Sequence, residues 1–495
     1  MAWCGYNFTV LNAGAARQEL LYMGKELGQI FFENGERQIR TPVPEPLFAG
    51  FDAVHVAFGD EHMVIVTACQ RLFVAGKNSK GQLGRGPSFL SGRSCKLRPS
   101  QPPGRVLGAA CGGKHTLVVI DAKEGAPATV WGCGCNIDGE VCPARPEDKY
   151  IFSWTAIDIA GLAAAPAALA APAKPRVAAG ARFSVVVIGD AVGFMGSMMF
   201  RQTSFTQPAP NLRIAVNPPW RGAAIRHVVA GYEHVMVASA VDRRLELYGW
   251  GRNDSSQLGL ILDKTGRHNT EYVLEPTRVP FDCPLQASDD FPSMLAAFGR
   301  ASMVMVGGRV WSLGSQGIVD THPPFLPPWM RGPTEIDPHH FDRQPVSFVG
   351  LGPWHAAFVT STDTTGAKLY MRGSQNDGEL VGDNGIPTST RRTKSGVIGV
   401  CGPRLLTTPA LVPPELFGGL SLRISGLAPA HKLAFVMGTH SRLGSLQGTP
   451  SGAGARRGKN VKTYSRPCVY FDVDELVLRM IIEFADALMP PLICP

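Results

Sequence analysis

No stretch of this 495-residue sequence is apolar for long enough to cross a membrane as a helix. The first residues, MAWCGYNFTVLN, lack the basic start that is typical of a secretory signal. The 11 cysteines are odd in number and are spread without the spacing of a disulfide framework. These absences predict a chain that works away from membranes in a reducing, intracellular compartment, either the cytoplasm or the nucleus.

Motifs of common enzymes are also missing. The sequence contains no P-loop, no G-x-S-x-G, no H-E-x-x-H and no paired carboxylates that stand out from scattered loop acids. Cys133, Cys135 and Cys142 have a spacing that resembles metal ligands, but the first two fall where a strand runs into a turn. We therefore expect no catalytic residue, no cofactor and no metal site.

What the sequence does contain is a repeat. Residues 57–84, AFGDEHMVIVTACQRLFVAGKNSKGQLG, place a glycine and a histidine before two short apolar runs and a polar turn. The two runs predict a β-hairpin, and the glycines of the turn predict a tight chain reversal. Similar stretches begin at Gly112, Gly231 and Gly352. A repeat of this kind predicts an architecture of stacked or radial units.

Three further copies match the motif only in part. Those at Gly180 and Gly299 lose the histidine, and the copy at Leu427 loses the glycine. The seven anchors lie 51 to 75 residues apart, which suits about four short strands and variable loops for each unit. Residues 21–30 resemble the second half of a repeat, and the copy at Leu427 lacks its second half. We therefore predict that an N-terminal strand closes a ring by completing the last sheet.

Two sets of side chains recur within the repeats. We expect the histidines to hydrogen-bond neighbouring turns rather than to form a ring of metal ligands. They are His62, His115, His234 and His355. Large aromatic rings also recur, and we expect them to fill the wedges between neighbouring sheets. They are Trp131, Tyr248, Trp311 and Tyr370.

The pattern G-x-x-H, apolar run, aromatic residue, N-x-x-G-Q-L-G resembles the repeat of the regulator-of-chromosome-condensation (RCC1) family. The resemblance covers roughly residues 20–440. It implies an all-β fold, namely a seven-bladed β-propeller of four-stranded antiparallel blades. The founding member of the family is a guanine-nucleotide exchange factor for a Ran-like small GTPase.

Composition divides the chain into three parts. Residues 1–440 are predicted to form the propeller, residues 441–465 a Gly/Ser/Arg-rich linker, and residues 466–495 a short strand or helix tail. The tail has an apolar stripe at helical spacing and acidic residues where the helix would begin. Its apolar face can dock either on the propeller or on a partner protein, and it faintly resembles part of a BTB box.

Two functions are compatible with these features. The first is a non-catalytic protein-interaction scaffold, in which a rigid ring presents variable loops to a protein partner. The alternative is exchange activity on a Ran-like GTPase, which the resemblance implies through an insertion wedge and an acid directly after the second anchor glycine. That position holds Gly113, whereas Asp60 supplies an acid in the first copy, and residues 143–158 are a candidate wedge.

The net charge of +8 gathers in loops, which are usually solvated and sometimes contact anions. A chromatin or nucleic-acid contact is therefore a weaker alternative, since the sequence lacks a basic N-terminal tail. The candidate partner-binding residues combine the acid of the first copy with the basic loops. They are Asp60, Arg391, Arg392, Lys394, Arg456, Arg457 and Lys459.

Overall fold

The chain divides into two compact units, Met1–Gly426 and Leu427–Pro495. The computed structural model describes residues of the first unit only. The described residues are 2–4, 8–13, 19–25, 38–44, 53–87, 93–121, 126–163, 174–198, 212–215, 218–220, 222–223, 225–241, 244–260, 271–281, 283–284, 294–314, 332–352, 355–360, 367–374 and 405–411. The predicted linker and tail lie outside them, so the domain boundaries at 440 and 465 stay predictions.

The described strands form seven antiparallel sheets. Sheet 1 contains β1 to β4, at Ala2–Cys4, Phe8–Ala13, Glu19–Lys25 and Gln38–Pro44. Sheet 2 contains β5 to β8, at Ala53–Phe58, His62–Thr67, Leu72–Lys77 and Arg93–Ser100. Sheet 3 contains β9 to β12, at Val106–Cys111, His115–Ile120, Thr129–Cys135 and Tyr150–Ile157. Sheet 4 contains β13 to β16, at Arg176–Ala179, Phe183–Ile188, Ala191–Gly196 and Arg213–Ile214.

The remaining three sheets follow in chain order. Sheet 5 contains β17 to β21, at Ile225–Ala230, His234–Val241, Arg244–Arg252, Tyr272–Arg278 and Cys283–Pro284. Sheet 6 contains β22 to β25, at Met294–Phe298, Ala301–Val306, Arg309–Gly314 and Thr334–Glu335. Sheet 7 contains β26 to β29, at Val346–Leu351, His355–Thr360, Lys368–Ser374 and Leu405–Leu411. A single helical turn, α1 at Ala160–Ala163, and a 3₁₀ turn at Pro338–Phe341 complete the described elements.

The sheets form a closed ring. Their first strands contact one another in order around a central channel, and β1 contacts both β5 and β26. The second strand of most sheets is buried along its whole length, as in His62–Thr67 and His115–Ile120, because neighbouring sheets cover both of its faces. The predicted all-β propeller is confirmed.

The way in which the ring closes differs from the prediction. Residues 21–25 lie in β3, and β3 pairs with β2 and β4 inside a sheet made only of residues 2–44. The N-terminus therefore supplies a complete sheet instead of a lone strand. Six of the predicted anchors lie in sheets 2 to 7, whereas the copy at Leu427 lies outside the described residues.

Hydrophobic clusters fill the wedges between neighbouring sheets. The aromatic side chains predicted there do pack against these clusters, namely Trp131, Tyr248, Trp311 and Tyr370. Between sheets 4 and 5, the ring of Trp220 stacks on Trp250 at 6.1 Å and meets Tyr248 edge-on at 5.3 Å. Such contacts fix the angle between two sheets, because large rings tolerate little change in shape.

The prediction of a loop over residues 143–158 is wrong for its second half. Half of this segment is β12, Tyr150–Ile157, which pairs with β11 as the outer strand of sheet 3. The turn before it is held from inside, because the Asn136 side-chain amide lies 3.0 to 3.1 Å from the carbonyl oxygens of Cys142, Arg145 and Asp148. A strand with its hydrogen bonds made inside the sheet is not a projecting wedge.

Candidate functional site

The recurring histidines join each sheet to the next. His62 Nε2 lies 2.9 Å from Thr116 Oγ1, and His115 Nε2 lies 2.9 Å from Ser184 Oγ. His234 and His355 make the same contact, at 2.8 Å with Ser302 and at 2.9 Å with Thr9. The hydroxyl always comes from the residue after the histidine position of the neighbouring sheet. We call these four contacts the histidine belt.

The hydroxyl groups settle the direction of the bonds. Thr116 Oγ1 donates to the carbonyl oxygen of Gln82 at 2.7 Å, and Ser184 Oγ donates to that of Glu140 at 2.6 Å. A hydroxyl has one hydrogen, so in these two pairs it must accept from the histidine, and His62 and His115 therefore carry their proton on Nε2. The histidine contacts the hydroxyl, and the hydroxyl contacts the turn, which refines the predicted bond between histidine and turn.

Burial keeps these histidines neutral. It lowers the pKa of His62, His234 and His355 to about 3 and the pKa of His115 to about 4. In His62 the neighbouring His115 adds to the effect of burial. The belt is therefore a structural device with no proton to exchange near neutral pH.

The anchor glycines leave room for the belt. A Cβ atom at Gly59 would lie 2.2 Å from His62 Cε1, and one at Gly112 would lie 2.1 Å from His115 Cε1. These distances are far below van der Waals contact, so no larger residue fits. In sheet 4 the ring of Phe183 takes the place of the histidine against Gly180, at 2.1 Å from the added Cβ.

The fifth predicted anchor is shifted by one residue. In sheet 6, Phe298 pairs with Ala301, and Ala301 pairs with Gly314. In sheet 2 the corresponding pair is His62 with Gly76. Phe298 thus stands at the anchor and Ala301 at the histidine position, so the large and small side chains have exchanged places.

The N-x-x-G-Q-L-G stretch is a self-contained turn. Asn78 Oδ1 accepts a hydrogen bond from the Leu83 amide at 2.9 Å, and Asn253 Oδ1 accepts one from the Leu258 amide at 3.0 Å. Leu83 and Leu258 are buried between sheets. The asparagine thus replaces backbone partners that a tight turn leaves unpaired, and the leucine anchors the turn in the core.

In sheet 3 the turn has a buried carboxyl group where the other turns have an amide. Glu140 stands where Gln82 and Gln257 stand, and its Oε2 accepts a hydrogen bond from the Asp138 amide at 2.9 Å. Burial raises the pKa of Glu140, while hydrogen bonds oppose this effect. The ionised carboxylate is therefore disfavoured in the folded chain. The protonated form of Glu140 stabilises the fold, and this contribution to the free energy of unfolding is lost as the pH rises through the folded pKa.

We expect Glu140→Gln to stabilise the ring at pH 7.5, by roughly 0.5–2 kcal/mol, since the amide keeps the acceptor and removes the buried charge. Urea unfolding followed by tryptophan fluorescence measures the change, and the gain should shrink at pH 5. Gln82→Glu is the matched control in sheet 2, and it should destabilise at pH 7.5. Equal stability of wild type and Glu140→Gln at both pH values would contradict the raised pKa.

The surface that can meet a partner is the end of the ring that carries the anchor loops. We call it the anchor face, and it consists of the loops between the first and second strand of each sheet and the turns after the third strand. Salt bridges join the two kinds of segment, from Lys77 to Glu61 at 2.9 Å and from Arg252 to Glu233 at 2.7 Å. Neighbouring loops also bond through the backbone, as from the Asp60 amide to the Gly113 carbonyl at 3.1 Å.

Asp60 lies where the channel opens on the anchor face. The cavity there has a volume of about 280 Å³, is lined by the first strands and anchor loops, and includes Asp60 and Tyr232 in its wall. The Tyr232 hydroxyl of sheet 5 donates to the Asp60 carboxyl of sheet 2. Since two sheets separate these residues along the ring, their contact crosses the channel mouth.

The carboxyl group of Asp60 is only partly satisfied. Its Oδ1 is buried and has no hydrogen-bond partner within the described part of the chain. Burial raises the pKa of Asp60, while the Tyr232 hydrogen bond and the Lys114 charge oppose this effect. The Asp60 carboxyl group is therefore a partly desolvated hydrogen-bond acceptor near the exposed ammonium group of Lys114.

Asp60 also stands beside the position at which the resemblance implies an acid. A Cβ atom on Gly113 would lie 3.1 Å from Asp60 Oδ2. A side chain on residue 113 would therefore begin next to the carboxylate that Asp60 supplies, and two carboxylates that share one site repel each other. The neighbouring sheet thus brings an acid to the same place on the anchor face.

The charged residues of the anchor face differ from sheet to sheet. In sheet 5 Arg252 lies between Glu233 and Asp254, and Asp254 also contacts Arg300 of sheet 6 at 3.5 Å. In sheet 3 the position of Glu233 is taken by Lys114, which is exposed and forms no ion pair with any described residue. The loops thus present different charges on one rigid frame.

Of the predicted partner-binding residues, the structure describes one. Asp60 lies at the channel mouth, whereas Arg391, Arg392, Lys394, Arg456, Arg457 and Lys459 lie outside the described residues. Their role stays a prediction. Within the described ranges no three His, Cys, Asp or Glu side chains group closely enough to hold a metal ion, and no helix there is long and apolar enough to span a membrane.

Sequence reasoning missed Tyr232 and Lys114. Both stand in anchor loops, Tyr232 directly after its anchor glycine and Lys114 two residues after its own. The loop residues between glycine and histidine are the variable part of the repeat, and comparison of these positions among the copies would have singled out both residues. The contact between Tyr232 and Asp60 has no signal in the sequence, because it joins two distant copies.

Comparison with known proteins supports the repeat assignment. The model of the regulator of chromosome condensation (RCC1) repeat matches residues 71–119. The human X-linked retinitis pigmentosa GTPase regulator is 34% identical over 99 residues, which are 20% of this chain and 9% of that protein. The human RCC1-like G exchanging factor-like protein is 28% identical over 155 residues, or 28% of this chain and 32% of that protein. The matches therefore span a minor part of each relative.

A solved structure extends the likeness to the whole ring. Prp20p from Saccharomyces cerevisiae, a protein described as binding Gsp1p and histones, superposes with a TM-score of 0.52 at 15% identity. The alignment covers 76% of this chain and 83% of Prp20p. At this identity the likeness establishes the fold, and the predicted RCC1-like repeats and propeller are confirmed.

Proposed function

We propose that this chain is a non-catalytic interaction scaffold, and that its anchor face binds a protein partner of the small-GTPase class. The observation that carries the proposal is that some residues of each repeat hold the ring together while others form variable loops. The motif residues, which are histidine, glycine, asparagine and leucine, hold the sheets and turns together. The loop residues between them differ in charge from sheet to sheet. A rigid frame with variable loops is the arrangement on which binding sites are built.

The names of the relatives supply the partner class. One is called a GTPase regulator, another an exchanging factor-like protein, and Prp20p is described as binding Gsp1p. For this chain a GTPase partner is an inference from those names. The exposed Lys114, beside Asp60 and Tyr232, is the cation on this face best placed to select such a partner by charge.

Exchange activity is the alternative, and one observation favours it. Asp60 lies beside Gly113, so the anchor face does carry an acid where the family resemblance implies one. Against it stands the segment 143–158, in which residues 150–157 form the outer strand of sheet 3 and the turn before them is held by the Asn136 side chain. Prising open a nucleotide site needs both parts, so the scaffold is the better supported function.

The experiment measures binding and exchange on the same sample. A Ran-type GTPase from the same organism is loaded with a fluorescent GDP analogue, its binding is followed by biolayer interferometry, and nucleotide release is followed by fluorescence. We expect saturable binding and an acceleration of release below about tenfold. Acceleration of about a thousandfold would overturn the scaffold proposal in favour of exchange. Absence of any binding would refute the GTPase as partner.

A charge reversal locates the binding surface. Lys114→Glu should weaken binding of the GTPase by about tenfold or more, because the exposed ammonium would be replaced by a like charge next to Asp60. Arg98→Glu is the matched control, since Arg98 is exposed on the outer strand of sheet 2, away from the channel mouth. Equal loss of affinity in both variants would mean that overall charge, not the anchor face, governs binding.

A further inference from the structure

The channel has a second mouth at the opposite end of the ring, where the first strands begin. Two adjacent first strands carry arginines there. Arg176 is the first residue of β13 in sheet 4, and Arg226 is the second residue of β17 in sheet 5. His227 follows Arg226 and stands four residues before its anchor glycine, as Arg176 does. We call Arg176, Arg226 and His227 the basic cluster.

The contacts of the basic cluster leave positive charge uncompensated. Arg176 Nη1 donates to the carbonyl oxygen of Ile225 at 3.0 Å, which brings its guanidinium to the start of the neighbouring strand. Arg176 and Arg226 are both exposed, and neither forms an ion pair with any residue that the structure describes. Asp190, an acid of the nearby hairpin between β14 and β15, accepts a hydrogen bond from the Gly222 amide at 3.0 Å through one carboxylate oxygen.

His227 reports how strongly these charges act on their surroundings. Burial, together with the smaller effect of the positive charges of Arg176 and Arg226, lowers its pKa to about 4. The side chain is half-buried and therefore neutral at physiological pH. Both arginines thus act electrostatically on His227, and the neutral histidine adds no third positive charge.

Arg226 stands at a backbone irregularity that other sheets share, but there they carry uncharged residues. The pairing register shifts between Ile225 and His227, which places Arg226 at a β-bulge. The same shift occurs in sheets 2, 3 and 7, where the bulged residues are Val54, Leu107 and Ser347. Charge at this position is therefore particular to sheet 5 among these four.

Space for a ligand lies beside the basic cluster. In sheet 3, on the other side of β13, the residue four before the anchor is Gly108, and a Cβ atom added there would meet no atom within 4 Å. The first strands of sheets 3 and 4 contact each other, so the strand that carries this open position neighbours the strand that carries Arg176. A concave mouth with uncompensated guanidinium groups concentrates anions, because its apolar walls focus the electric field.

We propose that the basic cluster binds an oxyanion, a phosphate or carboxylate group, held by the guanidinium groups of Arg176 and Arg226 at the channel mouth. Guanidinium presents paired N–H donors that match two oxygens of one anion, and it is weakly hydrated and so easily desolvated. The His227 ring borders the same anion. The site is independent of the anchor face and of the proposed GTPase partner.

The test titrates the purified full chain with inorganic phosphate and, separately, with citrate, each at an ionic strength held constant with sodium chloride. Isothermal titration calorimetry should show saturable binding of at least one of them, and thermal melting should show stabilisation that grows with its concentration. Binding of phosphate alone assigns a phosphate site, and binding of citrate alone assigns a carboxylate site. Binding of both assigns a general oxyanion site.

Variants decide whether the basic cluster is responsible. Arg226→Ser should reduce the affinity at least about tenfold, because it removes one of two guanidinium groups. Arg145→Ser is the matched control, since the Arg145 guanidinium is exposed on the anchor face and lies 3.9 Å from the Asp148 carboxylate. Absence of saturable binding in the wild type, or equal binding by wild type and Arg226→Ser, overturns the proposal. Both variants are exposed at the altered residue, so circular dichroism should confirm that they fold alike.

Discussion

Lowering the pH from 7 to 5 should destabilise the ring by about 2 kcal/mol for each of the four belt histidines, because all four must stay neutral to fit. Their folded pKa values of about 3 to 4 lie below the ordinary value of 6.5. The unfolded chain therefore takes up protons first as the pH falls. The stability is complete above about pH 6.5 and is lost progressively toward pH 4.

The total effect is comparable with the whole stability of an ordinary domain, which is about 5–15 kcal/mol. Two acids act in the opposite direction, because burial raises the pKa of Asp60 and of Glu140 and their protonation favours the folded ring. The loss of stability from the four histidines is expected to exceed the gain from the two partly buried acids. Urea unfolding midpoints at pH 7, 6 and 5, followed by tryptophan fluorescence, should decrease at each step.

A variant that cannot titrate separates the belt from the other ionisable groups. Replacing His62 and His234 by glutamine keeps an N–H that can donate to the hydroxyl of the next sheet and removes the imidazole proton equilibrium. Between pH 7 and pH 5 the double variant should lose about 4 kcal/mol less stability than the wild type, at about 2 kcal/mol for each histidine removed, even if its stability at pH 7 is lower. Stability of the wild type that is unchanged between pH 7 and pH 5 would contradict the lowered pKa values.

The fold could be predicted from the sequence because its constraints are local. Gly59 and His62 are three residues apart and in direct contact, so each copy of the motif records the same crowding. Asn78 and Leu83 likewise close a turn within one short stretch. Constraints of this kind survive in single sequences, since no partner from another sheet is needed to produce them.

The sequence was misleading where a contact could be satisfied in more than one way. At Phe298 and Ala301 a large and a small residue exchange positions, which preserves the contact and hides the anchor. The sequence predicts only half a repeat in sheet 1, because Phe8, three residues after Gly5, stands where other copies have the histidine. The pairing of Asp60 with Tyr232 depends on ring closure, and nothing short of the fold places these two residues together.

Removal of residues 1–44 should abolish a soluble ring, because sheet 1 is the connection between sheets 2 and 7. Its first strand contacts both β5 and β26, and Thr9 supplies the hydroxyl for His355 at 2.9 Å. Without it the apolar faces of sheets 2 and 7 that pack against sheet 1 would be exposed, and exposed apolar faces promote aggregation. We expect the truncated chain to aggregate or to melt far below the full chain, as size-exclusion chromatography and differential scanning fluorimetry would show.

A point variant tests the contact between sheets 1 and 7 without removing a sheet. Thr9→Ala leaves the buried Nε2–H of His355 without its acceptor and should cost about 1–3 kcal/mol. Thr9→Ser keeps the hydroxyl and should retain most of the stability, so the pair separates the hydrogen bond from the lost methyl group. A truncated chain that stays monomeric with an unchanged melt would contradict closure through sheet 1. Equal stability of Thr9→Ala and wild type would contradict the belt contact at the seam, because a buried donor without a partner is always costly.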